Sequence, residues 1–321
     1  ARGELIGEGK AFEEDLFLVY LTGSSILYRK EGKEEEEKSD VSDLYKALKL
    51  GIRDYFTRAG VKRAFIGLSG GIDSSVVAAL AVDALGKENV TGVTMPSKYS
   101  SEGSVKDSEE LARALGINFL DIPIEKARMT LEEALSKEFL GLPKDVAEEN
   151  IQARIRGIYL MALSNKFGGM VISTGNKTEM ALGYMTLYGD MCGGLAVIGD
   201  VNKMRVYELA KHINFLHDDA IISENVLFKL PSAELREGQT DEQGLGAPYG
   251  LLSPLVDWIV ENGLTVKELV KMGFERKYTE KVMGIIRKNE FKRRQAPPAI
   301  KVTSKAFGIG RRIPMNHGFQ S

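Results

Sequence analysis

The sequence is poor in cysteine, in excess charge and in long hydrophobic runs. Cys192 is its single cysteine, which excludes disulfide bonds within the chain and cysteine-based metal sites. The formal net charge is −2, so no global basic field would hold nucleic acid as the main partner. The apolar run at residues 16–21 is too short to cross a bilayer, and no secretory leader precedes it. We therefore expect a cytoplasmic protein without a membrane partner.

The pattern along the chain divides near residue 38. Residues 1–29 contain short apolar stretches that predict one or two strands, and residues 31–38 are mostly Glu and Lys, which is typical of a solvated linker. We therefore expect two regions, 1–38 and 39–321. Because the chain opens at Ala1 without a Met, we expect it to be part of a longer protein.

Beyond residue 38, short apolar strands alternate with helices. Strands are predicted at 64–68, 90–95, 117–122, 170–172 and 195–198. Such alternation indicates an α/β fold, a doubly wound parallel sheet with helices on both faces. From about residue 204 the chain is predicted to be mainly helical, with a long irregular stretch near 229–253.

The most specific pattern is a glycine turn between a strand and a helix, Ser-Gly-Gly-Ile-Asp-Ser-Ser at 69–75. This arrangement directs backbone N–H groups and the positive end of a helix at an anion. It matches neither the lysine-containing P-loop nor the dinucleotide fingerprint. Asp73 suits a Mg²⁺ ion that bridges phosphates. The plainer interpretation is a tight turn in which Asp73 only stabilises the start of the helix.

Two further segments carry polar groups at positions where a ligand could bind. Asn150 and Arg154 lie four residues apart on a predicted helix, and they suit a phosphate or carboxylate, although solvated surface charges would look the same. Thr174 and Glu179 follow the fourth strand, where parallel sheets bind ligands, although a capped helix start would also place Thr and Glu there.

The next segment adds a carboxylate and a lysine. Asp190 lies in a glycine-rich loop and could accept a hydrogen bond from ammonia or ammonium. Lys203 begins the following predicted helix and could neutralise a diphosphate leaving group.

Taken together, these motifs resemble the ATP pyrophosphatase superfamily, whose members transfer AMP from ATP to an oxygen atom. Within it, residues 40–321 look like an NAD synthetase, with the adenine nucleotide alpha hydrolase-like fold that this implies. The strings that carry the likeness are SGGIDS, NIQARIR, STGNKTE, LYGD, PSAELREGQTDE and FKRRQAPP. LYGDMCGGLAVIGDVNK and KAFGIGRR look like the glutamine-dependent type. Leu187 stands where the ammonia-only type has a lysine, so the role of that lysine is not transferred.

The resemblance implies a set of site residues. ATP would be bound by Gly67, Leu68, Ser69, Gly70, Gly71, Ile72, Asp73, Ser74, Thr174, Lys203 and Ser232. Deamido-NAD (nicotinic acid adenine dinucleotide) would be contacted by Asn150, Arg154, Glu179 and Lys292. Mg²⁺ would be held by Asp73 and Glu179, Asp190 would face ammonia, and Asp73, Asp190 and Lys203 would be catalytic. Residues 232–246 would be a mobile loop that closes over the site.

The implied reaction is the amidation of deamido-NAD. Its carboxylate would attack the α-phosphorus of ATP, pyrophosphate would leave, and ammonia would displace AMP to give NAD. Residues 1–29 would be the tail of a nitrilase-like glutaminase domain whose catalytic residues are not in this sequence, so the chain would use free ammonia. A homodimer, or a larger homo-oligomer, is expected, because NAD synthetases build the deamido-NAD site at a two-fold interface.

Other functions stay open from sequence alone. Another adenylating amidotransferase of the superfamily, such as a GMP synthetase, would share the turn but not NIQARIR and STGNKTE. A tRNA thiolase would need sulfur-carrying cysteines and a basic surface. A non-catalytic nucleotide-binding module would not need Asp73, Glu179 and Lys203, all of which are present.

Overall fold

The computed structural model describes residues 8–16, 18–22, 25–29, 39–217, 220–308 and 310–315. Near the N-terminus, strands β1 (Leu18–Thr22) and β2 (Ser25–Arg29) pair antiparallel, which confirms the strands predicted there. The charged run at 31–38 lies outside the described residues, and the division at residue 38 stays a prediction.

The remaining elements follow the predicted alternation of helices and strands. The strands are β3 (Ala64–Gly67), β4 (Val90–Thr94), β5 (Asn118–Asp121), β6 (Met170–Ser173) and β7 (Leu195–Ala196). The helices are α1 (Asp40–Ala59), α2 (Ile72–Leu85), α3 (Glu102–Leu115), α4 (Glu125–Leu135), α5 (Val146–Phe167), α6 (Lys177–Leu182), α7 (Lys203–Leu216), α8 (Glu224–Phe228), α9 (Asp241–Leu245), α10 (Tyr249–Val260), α11 (Val266–Lys271), α12 (Arg276–Lys288) and α13 (Glu290–Arg293), with a 3₁₀ turn at Lys87–Asn89.

Strands β3 to β7 form one parallel sheet in the order β5-β4-β3-β6-β7. Within this sheet, the first strand is the central β3. The chain continues outward through β4 and β5 and then returns to the other side of β3 with β6. The order therefore reverses between β3 and β6, where ligands bind in such sheets. Both the glycine turn after β3 and the segment after β6 reach this point.

Side chains of the central strand alternate between two apolar layers. Ala64 and Ile66 pack into a core with α1, α2, α3 and α7, whereas Phe65 packs with Ile155 and Leu160 of α5. Successive strand residues point to opposite faces, so burial of both faces explains why β3 is apolar throughout. The predicted doubly wound α/β fold is confirmed.

The helical C-terminal part has its own core, built from α6, α10, α11 and α12. The prediction of an irregular stretch at 229–253 is wrong beyond residue 240, because α9 and the start of α10 lie there. Glycine and proline disfavour a helix locally, but Pro248 sits at the N-cap of α10, and burial of Leu252, Leu255 and Val256 holds that helix.

Within the described residues, no helix is long and apolar enough to span a membrane. The expected cytoplasmic location stays a prediction.

The close approach of Gly70 to the backbone of Ser104 predicts an unequal cost for two glycine substitutions. Gly60 and Gly70 both have positive φ, 67° and 69°, but a Cβ on Gly60 meets nothing within 4 Å, whereas one on Gly70 would lie 2.3 Å from the Ser104 carbonyl oxygen. We expect Gly60→Ala to cost about 1 kcal/mol for its left-handed backbone. Gly70→Ala should cost about 1–3 kcal/mol more, because backbone atoms must move. Urea unfolding measures both variants, and equal losses would contradict the predicted role of the Ser104 contact.

Candidate active site

A cavity of about 270 Å³ opens at the carboxyl ends of β3, β4 and β6. Its apolar part includes Leu68, Met95 and Leu160, and its polar part includes Ser69 and Thr174. Of the residues predicted from sequence, the cavity is lined by Gly67, Leu68, Ser69, Asp73, Ser74, Thr174, Glu179, Asp190 and Ser232. An apolar compartment beside hydroxyl and carboxylate groups suits a nucleotide, with its base in the first and its phosphates at the second.

The glycine turn is held by its own hydroxyl groups. The Ser74 hydroxyl donates to the Gly71 carbonyl oxygen at 3.0 Å and lies 3.2 Å from the Ser69 hydroxyl. Ser75 likewise donates to Gly71 at 2.9 Å. The first N–H groups of α2 have no acceptor within the helix, so they form an anion-binding end beside the cavity. Gly70, Gly71 and Ile72 shape this turn without lining the cavity.

Next to the turn, one buried lysine lies among carboxylates. The Lys203 ammonium forms an ion pair with Asp73 and lies 4.0 Å from Glu179. Its Nζ is also 5.0 Å from the centre of the Tyr249 ring. Burial alone would lower the pKa of Lys203, but the charges of Asp73 and Glu179 outweigh it and raise the pKa. Lys203 is therefore engaged with acids behind the cavity, and the cavity wall does not include it.

The acids of this cluster outnumber the lysine. Burial, and then the charge of Asp73, raise the pKa of Glu179 well above its usual value. Burial also raises the pKa of Asp241, whose Oδ1 is enclosed and has no hydrogen-bond partner among the described residues. A further positive charge nearby would stabilise the ionised forms of both carboxylates.

This donor set fits a magnesium ion that is shared with phosphates. Mg²⁺ commonly takes one or two carboxylates from the protein and completes its coordination with phosphates and water. Asp73 and Glu179 line the same cavity as the glycine turn and meet that need. Within the described residues, no group of three or more His, Cys, Asp or Glu side chains forms an all-protein metal cage.

Asp190 lies at another wall of the cavity. Its Oδ1 accepts a hydrogen bond from the Thr186 N–H at 2.6 Å. Its carboxylate faces the cavity, yet the surrounding protein desolvates it and raises the pKa of Asp190 to about 6. Cys192 lines the cavity nearby, and burial raises the pKa of its thiol to about 11, so it is a protonated, packed side chain at neutral pH.

The other three residues predicted to bind deamido-NAD do not line the cavity. All of them hold the loop at 183–188. Asn150 accepts from the Thr186 hydroxyl at 2.7 Å, Arg154 donates to the Leu187 carbonyl at 3.2 Å, and Lys292 donates to the carbonyls of Gly183 and Met185 at 2.8 and 2.7 Å. The structure thus places them together, around the loop that leads to Asp190.

A lid segment, residues 229–240, contributes Ser232, Ala233, Glu234 and Leu235 to the wall of the cavity. Glu234 has a φ of 47° and accepts three hydrogen bonds, from the Ser101 N–H and from the hydroxyls of Ser101 and Ser104, at 3.1, 2.9 and 2.7 Å. Arg236 pairs with Glu149 of α5 at 3.1 Å. The Ser232 hydroxyl is engaged inside the segment, where it donates to the Gln239 carbonyl. Of the loop predicted at 232–246, residues 241–245 are the helix α9.

Sequence reasoning missed several residues of the site. Arg156 lies on the cavity wall, where its Nε donates to the Met95 carbonyl at 3.0 Å. Burial lowers its pKa to about 10, so it stays charged at neutral pH. Arg156 stands in the quoted string NIQARIR and Asp241 in PSAELREGQTDE, but neither motif indicates that they meet.

A family model described as NAD synthase matches residues 44–296. The chain belongs to the NAD synthase family. The resemblance inferred from the motifs is confirmed, and a GMP synthetase is not favoured.

Relatives of this family span the whole described fold. The glutamine-dependent NAD(+) synthetase of Synechocystis is 47% identical over 319 residues, which are 99% of this chain and 57% of that protein. A glutamine-dependent NAD+ synthetase from Acinetobacter baumannii, solved with ADP, is 39% identical with a TM-score of 0.62 and covers 90% of this chain and 52% of its own. An NMN synthetase from Francisella tularensis is 28% identical with a TM-score of 0.68, covering 81% and 99%. The chain spans about three-fifths of the length of the curated relatives it matches.

The docking of the lid segment can be tested at Glu234. Glu234→Gln removes the negative charge that accepts from three donors, and we expect trypsin to cleave after Arg236 on the order of tenfold faster, because charge-assisted hydrogen bonds are the stronger ones. Glu237 is an exposed carboxylate of the same segment. Glu237→Gln is therefore the matched control and should leave the rate unchanged. Equal cleavage of parent and Glu234→Gln would contradict this docking.

Proposed function

We propose that this chain catalyses the ATP-dependent amidation of deamido-NAD to NAD, with release of AMP and pyrophosphate. The observation that carries the proposal is the shared cavity. The glycine turn, the carboxylates of Asp73 and Glu179, and Asp190 all face it, within a chain of the NAD synthase family. A site of this kind can bring a nucleoside triphosphate and a nitrogen donor into one cavity.

In the first step, a carboxylate oxygen of deamido-NAD attacks the α-phosphorus and the bond to the bridging oxygen of pyrophosphate breaks. Negative charge accumulates on the departing oxygens. The N–H groups of the first turn of α2 stabilise that charge, and the ion pair with Lys203 holds the Asp73 carboxylate in place. Bound Mg²⁺, held by Asp73 and Glu179, would add positive charge at the phosphates.

In the second step, ammonia attacks the acyl carbon of the adenylate, AMP leaves, and the nitrogen loses one proton. Asp190 supports this step, because a carboxylate with a pKa of about 6 is mostly ionised at neutral pH and accepts hydrogen bonds from nitrogen. Positioning dominates here, since ammonia is already a nucleophile.

The nitrogen donor of this chain is proposed to be free ammonia, with glutamine serving when a glutaminase domain is joined to it. Cys192 does not supply a glutaminase nucleophile, because the pKa of its buried thiol is raised to about 11. The lengths of the relatives, which exceed this chain, support a further domain in the whole protein.

Purified chain with ATP, Mg²⁺, deamido-NAD and ammonium chloride should form NAD, AMP and pyrophosphate in equal amounts, whereas glutamine should not replace ammonium chloride. Nicotinate mononucleotide is the comparison substrate, because one structural relative is described as an NMN synthetase. We expect the dinucleotide to give the higher kcat/KM. Absence of NAD under these conditions would remove the proposal.

Asp73→Asn serves as the matched inactive variant. It keeps the shape of the side chain but removes the charge that pairs with Lys203. Pyrophosphate release should fall by at least about 100-fold, by analogy with the loss of a group that stabilises a transition state, while circular dichroism shows an intact fold. Turnover at the parent rate would end the assignment of Asp73.

A homodimer is part of this proposal. Helix α5 directs apolar side chains both inward and outward, because Ile155 is buried while Ile158 is 62% exposed. Met161, three residues further along and on the same face as Ile158, is 39% exposed. Apolar side chains that stay exposed along one helix support contact with a second copy.

Light scattering should therefore give about twice the chain mass of 35.3 kDa. Ile158→Glu should shift the mass to that of one chain, because a buried charge opposes the contact. Met272→Glu, at an exposed apolar position outside α5, is the control and should stay dimeric. A parent protein with the mass of a single chain would refute the dimer.

A further inference from the structure

We propose that Asn176 is a positioning residue that sets the distance and orientation between the carboxylates of Asp73 and Glu179. This inference rests on the proposed function, in which these two acids hold the metal ion. Asn176 itself does not line the cavity and does not touch the reacting atoms.

Asn176 contacts both acids at once. Its Nδ2 donates to Asp73 Oδ1 at 3.2 Å, and its backbone N–H donates to Glu179 Oε2 at 3.1 Å. Its Oδ1 accepts from the Glu179 N–H at 3.1 Å. The side chain has no solvent exposure, so no water competes for these bonds. One neutral amide thus joins the end of the glycine turn to the start of α6.

The contact to Asp73 goes beyond what helix capping requires. Asn176 and Glu179 form a capping box, and so do Thr265 and Glu268 at α11. The Thr265 hydroxyl donates within its own capping box, to Glu268 at 2.7 Å, whereas Asn176 donates an amide hydrogen to a residue 103 positions away. A Ser or Thr at 176 would serve the helix equally well. The contact with Asp73 therefore explains why residue 176 is an asparagine.

The next residue fixes the backbone of Asn176. Lys177 is fully buried, and its Nζ reaches Glu261 at 2.7 Å, Thr303 at 3.0 Å and Asp200 at 3.1 Å. Its backbone N–H donates to the Val201 carbonyl at 2.9 Å. These contacts of Lys177 anchor the start of α6, so the Asn176 amide that donates to Asp73 extends from a firmly held backbone.

Each oxygen of Asp73 then has a separate partner. Oδ1 receives the Asn176 amide and Oδ2 receives Lys203. Without Asn176, the Asp73 carboxylate would keep only the lysine and could rotate towards it. The two acids would then present fewer oxygens to a shared cation, and partners that orient metal ligands in this way are commonly worth 10- to 100-fold in metal affinity.

The experiment compares Asn176→Ser with Thr265→Ala. Serine keeps an N-cap oxygen but is too short to reach Asp73, whereas Thr265→Ala removes a capping side chain far from the cavity. Mn²⁺ is the probe, and its affinity is measured by electron paramagnetic resonance with a non-hydrolysable ATP analogue and enzyme in excess. Urea unfolding of both variants reports stability.

We expect Asn176→Ser to bind Mn²⁺ about tenfold or more weakly and to need correspondingly more Mg²⁺ for half-maximal turnover. Thr265→Ala should lose stability while keeping the parent affinity for Mn²⁺. If Asn176→Ser binds Mn²⁺ as the parent does, the inference is overturned and the proposed function stands. If the parent with the analogue does not bind Mn²⁺, both fail.

Discussion

The ion pair between Lys203 and Asp73 is the contact on which the rest of the site depends. It joins the first residue of α7 to the first turn of α2, and Glu179 of α6 lies 4.0 Å from the same ammonium. An isolated ammonium in this position would cost several kcal/mol of desolvation. Its carboxylate partners offset that cost, and their number leaves net negative charge at the edge of the cavity.

Because of that negative charge, the pocket needs added positive charge before it can hold the triphosphate of the proposed reaction. The N-terminal end of α2 supplies N–H groups, and a divalent cation would supply positive charge at the phosphates. Burial, with a smaller contribution from the charge of Asp73, raises the pKa of both Glu179 and Asp241, and a cation beside them would favour their ionised forms. Nucleotide and metal would thus bind more tightly together than either would alone.

The sequence predicted most of the fold, and it predicted those parts of the site whose residues lie within one short segment. Buried strands such as β3 show as unbroken apolar runs, so the five strands of the parallel sheet were found to within two residues. The glycine turn was found because its residues are contiguous. Arg156, Asn176 and Asp241 were missed because their meaning arises only when α5, α6 and α9 converge. The start of α10 was missed because tertiary burial overrides the local signals of glycine and proline.

The loop at 183–188 has a consequence for any redesign of the proposed substrate specificity. Asn150, Arg154 and Lys292 support it from α5 and α13, two helices that are far apart in sequence. Exchanging one of these three side chains alters the shape of the part of the cavity wall that Tyr184 and Thr186 form, although none of the three lines the cavity itself. A redesign of the proposed substrate specificity would therefore have to move the loop together with all three of its supports.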